Sequence, residues 1–296
     1  MRSRASADLR TADTAHGSPR GGLVATTVAL LLMATTQAWA GSPVDERELL
    51  GESFEDRPIY AYHRGDPDET RVLVVGCIHG DECAAVAIAR RLRIGPPRRA
   101  IDLWIVPNLN PDGRSAHTRQ NARGVDLNRN FPFRWRPGPR GRYYPGPRPA
   151  SEPETRIAMR LIRRIEPDVT IWFHQPLALV DASGDDRIER RYARLVGLPL
   201  VHLARLHGTA TSWQEHHFRG SEAFVVELTP GSLRPRAVRR YARAVVRLVA
   251  PPRAALRNED NAAIASTQTS ATARPEISWV DRMRIPTCIG TWVRLP

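Results

Sequence analysis

Four residues of this 296-residue chain have types and spacings suited to hydrolytic chemistry: His79 and Glu82 within His79-Gly80-Asp81-Glu82, then the distant His174 and Glu227. A His-x-x-Glu pair at a strand-to-helix turn, completed by a remote histidine, supplies three ligands to zinc. It leaves the fourth tetrahedral position for water, the arrangement of catalytic rather than structural zinc. Such an ion lowers the pKa of its water to about 7 and polarises a carbonyl, so a nearby carboxylate can take the water's proton and pass it to a leaving amine. Glu227, preceded by Phe224, Val225 and Val226, is the candidate for that base, since apolar neighbours favour a buried, shaped setting.

These residues need a scaffold that delivers them to one place. Arg71 to Cys77 is a continuous apolar run ended by a glycine turn, as expected for a strand covered on both faces. A helix is expected from Glu82 to Arg93, and a second buried strand from Asp102 to Pro107. Ser151-Glu-Pro-Glu154 reads as a capping box, with a helix over 152–164 whose inner face carries Ile157, Leu161 and Ile165. Further strands are expected at 168–174, 200–203 and 223–228, with helices at 186–196 and 235–249. The alternation predicts an α/β fold: a three-layer α/β/α domain around a mostly parallel, mixed, twisted sheet, with ligands bound outside the carboxyl ends of the strands. His79, His174 and Glu227 all fall at or just after such ends. The arginine-, proline- and glycine-rich stretch 131–149, with Tyr143-Tyr144 inside it, is expected to line or cover the cleft.

Residues 1–40 have a signal-peptide layout: early arginines, an apolar run from Leu23 to Ala34, then Ala38-x-Ala40 before Gly41. The run is shorter than the roughly 20 residues a membrane-spanning helix needs. The expected organisation is a signal peptide over 1–40, a catalytic domain over 41–255 and a disordered tail over 256–296, with secretion beyond the cytoplasm and no later membrane span. The formal charge is +13, yet all 44 basic residues are arginine. That uniformity points to genomic base composition rather than to nucleic acid, and no nucleic-acid partner is expected. Three cysteines exclude a disulfide framework. Cys77 and Cys83 bracket the His79–Glu82 pair closely enough for one bridge, or are two small buried residues.

The run from Thr118 to Phe131, Thr-Arg-Gln-Asn-Ala-Arg-Gly-Val-Asp-Leu-Asn-Arg-Asn-Phe, is too polar for a core and too ordered in residue choice for a generic loop. Together with His79-Gly-Asp-Glu82, Phe173-His174 and Val225-Val-Glu227-Leu228, it gives a chain that resembles the zinc carboxypeptidases over roughly residues 55–250. Trp172-Phe-His174-Gln-Pro-Leu177 and Ser212-Trp213 look closest to the murein peptide amidase branch, bacterial peptidases that cleave the γ-D-glutamyl-diaminopimelate bond of cell-wall peptides. The resemblance implies one zinc per chain on His79, Glu82 and His174, and Asp126 bracing the loop. It implies Arg119 as the donor to the tetrahedral oxyanion and Asn128 with Arg129 as the grip on a terminal carboxylate, for which arginine's planar fork is suited. The expected partner is a peptide, from murein.

Two departures from the digestive carboxypeptidases stand out. Asp81 replaces their arginine, and residues 208–220 contain no tyrosine to serve as their mobile one, leaving His216 and His217 as a polar contact or a surface pair. Two other functions compete. The aspartoacylase and succinylglutamate desuccinylase branch carries a similar His-Gly-x-Glu and Asp-Leu-Asn-Arg, but acts on cytoplasmic N-acyl amino acids, against which export argues. A catalytically inactive cell-wall-binding module would use the arginines on acidic polymers, against which the intact ligand set and Glu227 argue.

Overall fold

The computed structural model describes residues 44–94, 100–182 and 187–249. The expected signal peptide, the tail with Cys288, and Asp186 at the start of an expected helix lie outside them. Eight strands, β1 (Val44–Glu52), β2 (Pro58–Gly65), β3 (Arg71–Val75), β4 (Asp102–Val106), β5 (Val169–His174), β6 (Leu179–Asp181), β7 (Leu200–Val201) and β8 (Glu222–Glu227), form one sheet. Its order is β1-β2-β4-β3-β5-β8-β6-β7. The centre, β4-β3-β5-β8, is parallel, as is β6 with β7, whereas β1 and β2 and the β6–β8 pairing are antiparallel.

The central strands alternate strictly while remaining apolar on both faces, the signature of a sheet covered on both sides. Val72, Val74, Ile171, Phe173, Phe224 and Val226 pack in one cluster beneath α1 (Ala85–Arg93), α4 (Arg187–Val196) and α6 (Pro235–Val249). Leu73, Val75 and Trp172 pack in the other, with α3 (Pro153–Ile165) and α5 (Ala210–His217). Ile157, Leu161 and Ile165 face that second core as the helical period requires. A short α2 (Pro111–Ala116) follows β4.

The capping box does not form. Glu152 is the N-cap and makes no side-chain cap bond, while the Ser151 hydroxyl donates to the Glu152 carboxylate and accepts from Asn130. Glu154 instead accepts from the Phe54 backbone N–H and, with Glu152, from Asn121. The acidic pair therefore anchors the polar 118–131 segment against α3. The β1–β2 hairpin opens the sheet at Val44, ahead of the first expected strand, which begins at Arg71.

Candidate metal centre and cleft

β3 stops at Val75, and the chain crosses Gly76 and Cys77 to reach His79. Cys77 takes a φ of 53° and is joined to Cys83 by a disulfide with a Cα separation of 4.5 Å, so one bridge closes around the His79–Glu82 turn. Within it the Glu82 N–H donates to the His79 carbonyl. The turn leans on the loop after β4: Leu109 and Asn110 donate their N–H groups to Gly76 and Cys77, and the Asn110 side chain donates to the Ile78 carbonyl. Gly80 is required by this packing, because a Cβ there would lie 1.9 Å from the Gly113 carbonyl carbon.

His174 ends β5, and the register pairs it with Glu227 at the end of β8. Paired residues on adjacent parallel strands face the same side about 4.8 Å apart, which carries both side chains to the cleft. His79, Glu82 and His174 are 1%, 8% and 4% exposed. Their atoms converge: His79 Nδ1 and Glu82 Oε2 are 2.9 Å apart, and His174 Nδ1 is 3.1 Å from each of them. Ligand atoms around a tetrahedral zinc with bonds of about 2.0–2.2 Å sit roughly 3.3–3.6 Å from one another, so the triangle need open by only a few tenths of an ångström to accept the ion.

The donor chemistry agrees. Asp126, buried and acceptor-only as a carboxylate, lies 3.0 Å from His79 Nε2, which must therefore carry the hydrogen and leave Nδ1 with its lone pair toward Glu82 and His174. Burial opposes charge on His79, but Asp126 and Glu82 outweigh it and raise its pKa: the pocket favours a cation. Burial likewise pushes the Glu82 carboxyl up, yet the imidazoles of His174 and His79 overcome it and hold Glu82 far below the carboxylate range. Burial lowers the pKa of His174, keeping it neutral as a ligand must be. The three residues form a group fit to hold a metal ion.

Asp126 does more than brace its loop. Oδ1 accepts from the Asn128 N–H at 3.0 Å, capping the 3₁₀ turn Leu127–Arg129, and Oδ2 accepts from Arg119 Nε at 3.0 Å. Arg119 also donates to Glu82 Oε1 at 2.8 Å, leaving other guanidinium hydrogens for a ligand. Asn128 Oδ1 accepts from the Ala210 N–H at the start of α5, so its amide N–H₂ remains to donate. Arg129 is half-buried; burial lowers its pKa against the opposing pull of Asp126.

A cavity of about 330 Å³ opens over these groups, lined by Arg119, Asn128, Arg129 and Glu227 beside the histidines. Burial and the Glu82 charge raise the Glu227 pKa to about 7. Tyr143 lines it too, as expected of the 131–149 stretch, its ring 5.2 Å from the Arg119 guanidinium carbon and 5.6 Å from that of Arg129. His216 and His217 do not line it: His216 stacks on Phe133 and His217 Nδ1 donates to the Trp213 carbonyl. The sequence reading missed Gln175, whose carbonyl oxygen accepts from the Ala84 N–H while its amide donates to Thr229 and Gly231, tying the histidine strand to α1 and the β8–α6 loop. It also missed Asp181 and the 203–206 rim.

Comparison with known proteins places these features in context. A family model described as zinc carboxypeptidase matches residues 44–180. Murein peptide amidase A of Escherichia coli is 34% identical over 170 residues, 52% of this chain and 69% of the relative. The crystal structure of murein-tripeptide amidase from Escherichia coli O157 superposes with a TM-score of 0.60 at 29% identity, covering 73% of this chain and 97% of that one. Carboxypeptidase A from Helicoverpa armigera shares the fold at 18% identity, with a TM-score of 0.58 over 69% of each chain. A fold in common, a matched family model and a relative aligned over most of its length establish that the chain belongs to the zinc carboxypeptidases, peptide hydrolases whose metal is zinc.

Proposed function

We propose that the chain is an exported metallopeptidase that hydrolyses the γ-D-glutamyl-diaminopimelate bond of murein peptides, with zinc on His79, Glu82 and His174. The observation that carries the reading is the convergence of three buried ligand atoms within about 3 Å of one another, beside a carboxylate, Glu227, in the same cleft. Two relatives, a murein peptide amidase and a murein-tripeptide amidase, supply the substrate class. Export is supported by the apolar run before Ala38-x-Ala40, and the catalytic domain is assigned to 41–255. Among the described residues no helix is long and apolar enough to cross a membrane.

Zinc, when bound, lowers the pKa of a water and polarises the scissile carbonyl. Glu227 takes a proton from the attacking water and returns it to the leaving amine; its partial burial keeps the carboxylate poorly solvated and basic. The uncommitted guanidinium hydrogens of Arg119 donate to the developing oxyanion, and Asn128 and Arg129 hold the carboxylate of the leaving residue, fixing which bond lies over the base.

The test is incubation of the zinc-loaded chain with L-Ala-γ-D-Glu-meso-diaminopimelate, with release of diaminopimelate followed by mass spectrometry. The parent is expected to release it. Glu227→Gln is expected to lose about 10²- to 10⁴-fold in kcat while keeping one zinc. A zinc-loaded parent that releases nothing refutes the substrate.

A further inference from the structure

Three carboxylates line the cleft: Glu82, Glu227 and Asp181. The first two belong to the metal centre and the proton transfer, and the third is unused. Asp181 closes β6, whose antiparallel register with β8 sets Leu179 beside Glu227 and Val180 beside Val226. Side chains alternate along a strand, so Asp181 shares the face of Leu179, on the side where Val225 and Glu227 line the cleft. It stands two residues, roughly 7 Å, from the row that holds the reacting groups.

Asp181 Oδ1 accepts from the Leu203 N–H at 2.9 Å, which fastens the 203–206 loop over the end of β6. A carboxylate has about four acceptor sites, so capacity remains for a ligand. That loop brings in Arg205, exposed, in the same cleft and close enough for its charge to be felt by Asp181. A carboxylate and a guanidinium lining one cleft, each sensing the other's charge, form a pattern complementary to an ammonium and a carboxylate on one carbon.

We propose that Asp181 and Arg205 read a second amino-acid head at the far end of the substrate's leaving residue, Asp181 taking its ammonium and Arg205 its carboxylate. The inference rests on the reading of the chain as a murein peptidase and assigns that enzyme's side-chain specificity. It predicts that diaminopimelate, which carries both groups beyond three methylenes, is preferred to lysine, which carries the ammonium alone, and lysine to norleucine, which carries neither.

Three tripeptides, L-Ala-γ-D-Glu followed by meso-diaminopimelate, L-lysine or L-norleucine, are assayed with the zinc-loaded full chain. Asp181→Asn keeps an oxygen for the Leu203 N–H and removes only the charge. It is expected to lower kcat/KM about 10- to 100-fold for the diaminopimelate and lysine peptides, leaving the norleucine peptide unchanged. Arg205→Ala is expected to bring diaminopimelate down to the level of lysine and to leave lysine unaltered. An Asp181→Asn enzyme that loses equally on all three, or loses on none, overturns the proposal and makes Asp181 a loop anchor. If the parent cuts none of the peptides, the proposed function fails, and calorimetry with free meso-diaminopimelate decides the pair by itself. Binding that Asp181→Asn abolishes upholds the reader; binding absent from the parent, or indifferent to the substitution, overturns it.

Discussion

At the metal end of the cleft, His79, Glu82 and His174 are nearly sealed from solvent and hang from the ends of central strands; at the other end, Leu206 is 49% exposed and Arg205 sits with it on a loop. The metal end is over-determined. Asp126 alone contacts His79, Arg119 and the N–H of Asn128, and the turn below it is closed by a disulfide and by backbone bonds to the next loop. The outer end is tied down by single contacts such as the Leu203 N–H to Asp181. Groups that must be held to a fraction of an ångström are built on strands and networks, whereas a rim fastened by single contacts can vary without disturbing them.

The largest effect on this comparison comes from Gly80→Ala. The added methyl would lie 1.9 Å from one backbone atom and 2.3 Å from another, and backbone held by the Asn110 cap cannot yield as a side chain can. We expect a loss of about 3 kcal/mol or more and failure to retain zinc, read by thermal unfolding and metal analysis. A variant that folds and binds zinc normally would show that the metal end is less rigid than described.

Next is Asp126→Asn, which keeps shape but removes the charge that fixes the His79 tautomer. Zinc affinity is expected to fall about 10- to 100-fold, measured by competition with a chelator. Arg119 loses one of its two carboxylate partners in the same variant, so kcat should fall even when zinc is saturating. An unchanged affinity would return Asp126 to the purely bracing role expected from its place in the motif.

The difference between the two ends also governs how far the sequence could be read. The strands that deliver His79, His174 and Glu227 are apolar on both faces, and such runs declare themselves. The β1–β2 hairpin does not: Val44–Glu52 has four charged residues in a row, Asp45, Glu46, Arg47 and Glu48, with no apolar alternation to mark a strand. β6 has three residues, too few for any period. Asp181 and Arg205 carry no local signal, because in a chain with 44 arginines a charged residue on a loop is indistinguishable from a solvated one until the fold places it in a cleft. The capping box misled for the opposite reason. Ser151 and Glu154 have the right spacing, but tertiary partners in the 118–131 segment and the Phe54 turn outcompete the local bond.

The carboxyl of Glu227 offers a smaller and more selective probe. Burial first, and Glu82 second, raise its pKa to about 7, above the ordinary carboxyl range it takes in the unfolded chain. A group with a raised folded-state pKa favours the fold while protonated, and that contribution is lost as pH climbs from the ordinary range through 7. The metal-free parent should therefore lose stability over that interval relative to metal-free Glu227→Gln, with the gap closing below about pH 5. With zinc present the nearby dication favours the ionised form, so the acidic limb of kcat/KM should rise with pH through a value below 7. Parallel melting curves for the two metal-free proteins from pH 5 to 8 would remove the argument for a buried, poised base.

Smallest of all should be the effect of Tyr143→Ala at the rim. The ring is 58% exposed and lies over the guanidinium groups of Arg119, Arg129 and Arg142 at 5.2 to 5.9 Å, sharing one aromatic face among three cations. A cation–aromatic contact at an exposed site is worth about 0.5–1 kcal/mol. Arg119 and Arg129 keep their bonds to Asp126, Glu82 and the Asn128 carbonyl without it. KM for the tripeptide should therefore rise by about twofold to fivefold, with kcat and zinc content unchanged. A large fall in kcat instead would mean that Tyr143 reaches the reacting atoms, taking the place of the tyrosine that residues 208–220 lack, and the division between a rigid chemical end and a tolerant rim would have to be redrawn to include it.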